Sequence, residues 1–114
     1  MTTEDREAAT EPREFAVDVS TSDGTTVVSV RGEVDLYTAP KLREQLDGAV
    51  QGDQPRVVVD LTELDFIDST GLGVLVGALK QVRAAGGDMT LRNPSRSTHK
   101  ILEIAGLTEL FSVE

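Results

Sequence analysis

The run DSTGLG, residues 68–73, sets an acid, two hydroxyls and two glycines directly ahead of an apolar repeat. A serine nucleophile needs an adjacent base and an oxyanion hole. IDSTG lacks the glycine two residues before the serine that a nucleophile elbow uses, and Asp68 without a relay is a weak base. The one histidine, His99, is expected at the start of a later helix. A phosphate cradle built from Gly71, Gly73 and Gly77 fares no better. A dinucleotide fingerprint wants its third glycine at position 76, where Val76 stands, and there is no Gly-Lys-Ser/Thr ending of a Walker loop. The loop is also expected to lie too far from the end of the strand at 56–61. A phospho-aspartate site at Asp60, expected at a strand end, needs Mg²⁺ held by several carboxylates, and the first strand offers only Asp18. No catalytic set and no metal site can be assembled.

A physical role remains for Ser69. It stands at the mouth of an expected helix, where free N–H groups and the positive end of the dipole welcome negative charge. Phosphorylation would add roughly −1.5 to −2 charge there. The fold would accept it, whereas a partner packed on the same spot would meet bulk and charge. The plainer alternative is that Asp68 or Ser69 simply caps the helix, and one residue can do both. On a 100° wheel Thr70, Gly73, Val74, Gly77 and Gln81 point away from the leucine stripe. Glycines are costly on an ordinary exposed face, so the small residues prepare a close approach. Periodicity leaves open whether the approaching backbone belongs to a partner or to the first helix of the same domain.

The elements that must position these residues follow from the pattern. With 114 residues the chain makes one domain. It has no cysteine, which removes disulfides and thiolate metal sites. The net charge of −9 argues against binding nucleic acid. No apolar run approaches the length of a membrane span, and the acidic start MTTEDREAATEPRE is no export signal, so a cytoplasmic location is expected. Residues 1–13 are expected as an acidic flexible tail, and 14–114 as the domain.

Phe15–Ser20 alternates as a half-buried strand, SDG turns, and TTVVSVRG makes the second strand of a hairpin. EVDLYTAP is expected as a loop, with Thr38 as N-cap and Pro40 in the first turn of a helix carrying Leu42, Leu46 and Val50. RVVVDL, 56–61, is a central strand, followed by a loop holding DFIDS. Next comes a helix with Leu72, Leu75, Val76, Leu79 and Val82 on one stripe, then a strand at MTLRN and a helix from Pro94 to Ala105 with Ile101, Leu102 and Ile104 partly apolar. LTELF is expected as a final helical turn packing Leu107, Leu110 and Phe111. The order β-β-α-β-α-β-α is an α/β domain whose strands at 56 and 88 lie parallel.

Three segments, GEVDLYTAP, VVVDLTELDFIDSTGLGVLV and NPSRSTHKILEIAGLTELF, resemble the STAS domain of bacterial anti-sigma factor antagonists. The similarity covers about residues 14–113. It implies a mixed sheet of four to five strands with helices mainly on one side. It also implies that Ser69 is the residue phosphorylated by a cognate anti-sigma factor that is itself a serine kinase. It places Asp35 near the phosphosite and the partner surface, with Asp68 and Thr70 on either side of Ser69. With the neighbouring loop and the small outer face of the helix, the expected partner-binding residues are Asp35, Tyr37, Thr38, Asp68, Ser69, Thr70, Gly71, Gly73, Val74 and Gly77. Unmodified, such a protein binds the kinase and frees a sigma factor; phosphorylated, it lets go, and a serine phosphatase resets it. It would be a substrate and binding module without a cofactor. An adaptor with no cycle, or a small-ligand domain, is the alternative.

Overall fold

The structure, a computed structural model, describes residues 13–114. The elements, in chain order, are β1 (Ala16–Ser22), β2 (Thr25–Val34), α1 (Ala39–Ala49), β3 (Arg56–Ile67), α2 (Ser69–Ala84), β4 (Asp88–Arg92), α3 (Arg96–Ile104) and β5 (Ser112–Val113). The strands form one sheet in the order β1-β2-β3-β4-β5. β1 runs antiparallel to β2, and every later pair is parallel. The mixed sheet and the parallel pairing of β3 with β4 match the sequence expectation.

Period-two alternation decides which face is covered. Val28 and Val30 of β2, Val57, Val59 and Leu61 of β3, and Met89 and Leu91 of β4 are buried. Their neighbours Val27, Ser29, Val58, Asp60, Thr90 and Arg92 are only half-buried. The helices close the first face: Leu42 and Leu46 of α1, Leu75, Leu79 and Val82 of α2 and Leu102 of α3 join the same core. Each such side chain contributes about 1.5–3 kcal/mol by leaving water.

Two sequence expectations need correction. The run TELDFI, 62–67, is strand and not loop, so β3 has 12 residues. Two bulges on β3, an extra residue between Asp60 and Glu63 opposite Ser29–Arg31 and another between Leu64 and Phe66 opposite Gly32–Glu33, let the pairing continue out to Val34↔Ile67. Secondly, LTELF does not end the chain as a helical turn alone. A turn at Thr108–Leu110 leads into β5, anchored by Glu114 N–H donating to Leu91 O and Asn93 N–H donating to Glu114 O. Phe111 is buried as expected, whereas Leu110 is exposed.

The junction of α2 and β4 is tight. Gly87 N–H donates to Val82 O, and Asp88 N–H donates to Pro55 O. A Cβ on Gly87 would lie 1.8 Å from the Pro55 carbonyl oxygen. Among the described residues no helix is long and apolar enough to cross a membrane.

Candidate functional site

Parallel pairing brings two strand ends to one place. Val34 sits opposite Ile67, and Asp68 N–H donates to Val34 O at 3.0 Å. The segments leaving these ends, Asp35–Thr38 and Asp68–Thr70, are therefore neighbours.

The first segment is folded by Asp35. Its carboxylate accepts from the N–H of Tyr37 at 2.9 Å and of Thr38 at 3.0 Å, the side-chain turn that an aspartate favours. Thr38 Oγ1 accepts from Asp35 N–H and donates to Glu33 O. Thr38 thus holds the N-cap position as expected, but its hydroxyl locks the loop and does not cap α1. The Thr38 amide foremost, with the Tyr37 amide and the Thr38 hydroxyl, holds the Asp35 carboxyl below its ordinary value, against a smaller opposing effect of desolvation. A lowered folded-state value means that the loop's support is complete above the unfolded carboxylate range, about pH 4. It is lost as pH falls through the folded value. A ¹³C carboxyl titration is expected to give Asp35 a midpoint below the ordinary aspartate value, with the Tyr37 amide shift following the same curve.

The second segment starts α2. Asp68 is the N-cap, in extended conformation, its Oδ1 accepting from Gly71 N–H at 3.1 Å. Leu72 N–H goes to the Asp68 carbonyl. Of the two capping candidates, Asp68 fills the role, which leaves Ser69 as the first helical residue. Ser69 is exposed, and among the described residues its hydroxyl makes no hydrogen bond. Asp68→Ala is expected to cost about 1 kcal/mol of stability, measured by urea unfolding.

The other expected site residues divide. Tyr37 is 88% exposed, and Thr70, Gly73 and Gly77 are exposed, with nothing near a Cβ built on either glycine. Gly71 is instead buried: a Cβ there would sit 2.6 Å from side-chain carbons of Val34 and of Ile67, so this glycine lets α2 start flush against the strand ends. Val74 is also buried, at 5% exposure, because α1 packs beside α2 and takes that part of the wheel. Gly73 stays open, whereas Gly77 and Gln81 border a small cleft facing Arg43, Leu46 and Asp47 of α1, so α1 accounts for Val74, borders Gly77 and leaves Gly73 free.

The sequence reading missed Leu36, Pro40 and Arg43. Leu36 is 66% exposed and, with Ala39, Pro40, Arg43, Thr70 and Val74, lines a groove of about 310 Å³ beside Ser69. Two adjacent apolar residues, Leu36-Tyr37, inside a polar loop were the signal. Exposed apolar patches rimmed by polar groups mark interaction surfaces.

The rejected chemistries stand differently. β3 runs up to Ile67, directly before Asp68, so distance from the strand does not exclude a phosphate cradle; Val76 in place of a third glycine still argues against the fingerprint. Asp60 lies in mid-strand, accepting from the Thr62 N–H and hydroxyl, and not at a strand end. His99 Nδ1 faces Glu103 at 4.0 Å.

Comparison with known proteins agrees with this architecture. The STAS domain family matches residues 16–114. The anti-sigma-B factor antagonist of Bacillus subtilis is 39% identical over 98 residues, covering 85% of this chain and 88% of its own. The crystal structure of an anti-sigma factor antagonist from Mycobacterium paratuberculosis superposes with a TM-score of 0.80 at 29% identity, covering 90% of this chain and 87% of its own. The Bacillus cell fate determinant SpoIIAA in its phosphorylated form shares the fold, with a TM-score of 0.66 at 23% identity over 89% of this chain and 91% of its own. By sequence and by fold, the chain belongs to the STAS-domain family of anti-sigma factor antagonists.

Proposed function

We propose that this protein binds a serine-kinase anti-sigma factor, thereby releasing a sigma factor, and that phosphorylation of Ser69 ends the binding. The observation that carries the proposal is the placement of Ser69. Its exposed hydroxyl starts a helix, and beside it stand exposed Tyr37 and Leu36 and the groove leading to Thr70. Aromatic and apolar side chains of this kind anchor protein interfaces. The relatives named above are antagonists of anti-sigma factors, and one of them has been seen in a phosphorylated form.

In the cycle proposed, the γ-phosphoryl group of ATP bound by the kinase moves to Ser69 Oγ, leaving ADP, and the hydroxyl proton leaves with a base of the kinase. Asp35, Tyr37, Thr38, Asp68, Thr70, Gly73 and Gly77 form the surface that the kinase covers, with Gly71 and Val74 supporting it from beneath. Hydrolysis by a serine phosphatase returns the hydroxyl. The chain is a substrate and a regulator in the cytoplasm, and the catalytic groups belong to its partners.

The test is to incubate the purified chain with its candidate anti-sigma kinase and ATP and to map phosphate by mass spectrometry. One phosphate on Ser69, abolished in Ser69→Ala, is the expected result. A stable complex that ATP neither modifies nor dissociates would replace the cycle with a passive adaptor.

A further inference from the structure

A wide concavity lies on α3, apart from Ser69. It has a volume of about 640 Å³, with Pro94 and Val113 among its walls and Arg96, His99, Lys100, Glu103 and Glu114 as its charged lining. Of its two acids, Glu114 is paired, Oε1 accepting from Arg92 Nε at 3.2 Å, and Glu103 Oε2 lies 4.0 Å from His99 Nδ1. Arg96 and Lys100 are exposed, and neither has a carboxylate partner among the described residues. The sequence around the groove is as unusual. Residues 89–102, MTLRNPSRSTHKIL, hold Arg92, Arg96, Lys100 and the only histidine, with no acid, in a chain of net charge −9.

The chain's own start has the opposite character. Residues 1–12, MTTEDREAATEP, carry Glu4, Asp5, Glu7 and Glu11 against Arg6 alone. The point from which they depart is fixed close to the groove. Arg13 N–H donates to Asp65 Oδ2 at 2.8 Å, and its guanidinium pairs with the same carboxylate and reaches the Glu63 carbonyl. Thr62, the next residue of β3, accepts from the side-chain amide of Asn93, which lines the groove. Asp65 and Thr62 are three residues apart on β3, roughly 10 Å along the strand, and Asn93 stands one strand further. Twelve residues reach about 40 Å when extended.

We propose that the α3 groove is the docking site for this chain's own acidic N-terminal segment, Glu4–Glu11. Tethering at Arg13 gives the segment an effective concentration in the millimolar range, so a few ion pairs suffice to hold it. Charge complementarity favours the groove: carboxylates of the segment meet Arg96 and Lys100, which have no carboxylate partner among the described residues. Docking would cover the cationic face and keep the acidic segment clear of the partner surface. This inference does not depend on phosphorylation.

Because the chain has no cysteine, Thr3→Cys in the full chain accepts a single nitroxide label. Paramagnetic broadening of the ¹⁵N-labelled protein at low salt is expected to concentrate on amides of Arg96–Glu103 and Val113. It is expected to fall several-fold at about 0.5 M NaCl, where charges are screened within roughly 4 Å. The same loss is expected in Arg96→Glu/Lys100→Glu. It is expected again in Glu4→Gln/Asp5→Asn/Glu7→Gln/Glu11→Gln, which leaves the folded domain untouched. Broadening of α3 no greater than at the Ser22–Thr25 turn would overturn the proposal, as would broadening that survives both sets of substitutions or that centres on Ser69–Gly73. Equal broadening of unlabelled-spin ¹⁵N protein by a spin-labelled second copy would overturn the intramolecular contact.

Discussion

A phosphate on Ser69 is expected to weaken the complex with the anti-sigma factor by at least a hundredfold, roughly the effect of burying a like-charged or unpaired group in an interface at several kcal/mol. The asymmetry lies in who pays for the charge. Within the chain, Ser69 is the first residue of α2, and the dipole of the helix start favours an anion by about 0.3–1 kcal/mol. Gly71 and Leu72 already spend their amides on Asp68, so the cap stays closed when the phosphate arrives. The domain should melt within a few degrees of its unmodified form. Across the interface the phosphate projects from an exposed position beside Leu36 and Tyr37, into the area an apolar partner would desolvate. Calorimetric titration of unmodified, phosphorylated, Ser69→Ala and Ser69→Glu protein measures this. Ser69→Ala should bind like the unmodified chain, and Ser69→Glu should fall between the extremes because it carries one charge and less bulk. If phosphorylated and unmodified proteins bind within threefold of each other, charge exclusion is not the mechanism.

The largest effect on stability is expected far from that surface, from Gly87→Ala. The added methyl would lie 1.8 Å from the Pro55 carbonyl oxygen, and the obstacle is backbone that no rotamer change can move. Relief requires separating the β4 entry from the segment before β3, breaking the Asp88 N–H bond to that same oxygen. Overpacking typically costs 1–3 kcal/mol and more where relaxation is blocked, so about 3 kcal/mol or above is expected, a fall in Tm of roughly 12–24 °C for a domain of this size. Gly73→Ala makes the control: its Cβ meets nothing, and helix propensity alone should raise stability by up to about 1 kcal/mol. Thermal unfolding of the two variants side by side separates a packing constraint from a general intolerance of glycine substitution.

Much of this was legible in the sequence, and the misses share physical causes. Alternation in β2 and the β-branched run Val57–Val59 gave strands whose burial falls on every second residue. β1 forms as expected from its alternation, but it begins at Ala16 and its Val19 is 42% exposed, because it is an edge strand that the helices barely cover. The continuation of β3 through Thr62–Ile67 was hidden because Thr62, Glu63 and Asp65 are polar and only partly covered or exposed, and two bulges within β3 itself break the period-two pattern there. β5 escaped because two residues cannot show a period. Ser69, Asp68 and Asp35 were legible from the chemistry of short polar side chains next to helix starts and turns. Val74 was misplaced because a single wheel knows nothing of a neighbouring helix; α1 narrows the exposed stripe to Thr70, Gly73, Gly77 and Gln81. Ile104 was expected to be partly apolar packing and is 79% exposed, since α3 buries little beyond Thr98 and Leu102.

The join between Val34 and Asp68 sets what a modifying enzyme meets. The strand-end hydrogen bond and the flush seating of Gly71 allow Ser69 no extended, peptide-like excursion, so an enzyme acting there must grip a preformed relief of helix and loop. Selectivity would then reside in contour and not in a linear consensus, and the isolated hexapeptide would be a poor surrogate for the folded chain. Two STAS proteins carrying the same six letters could in this way remain insulated from each other's kinases within one cell.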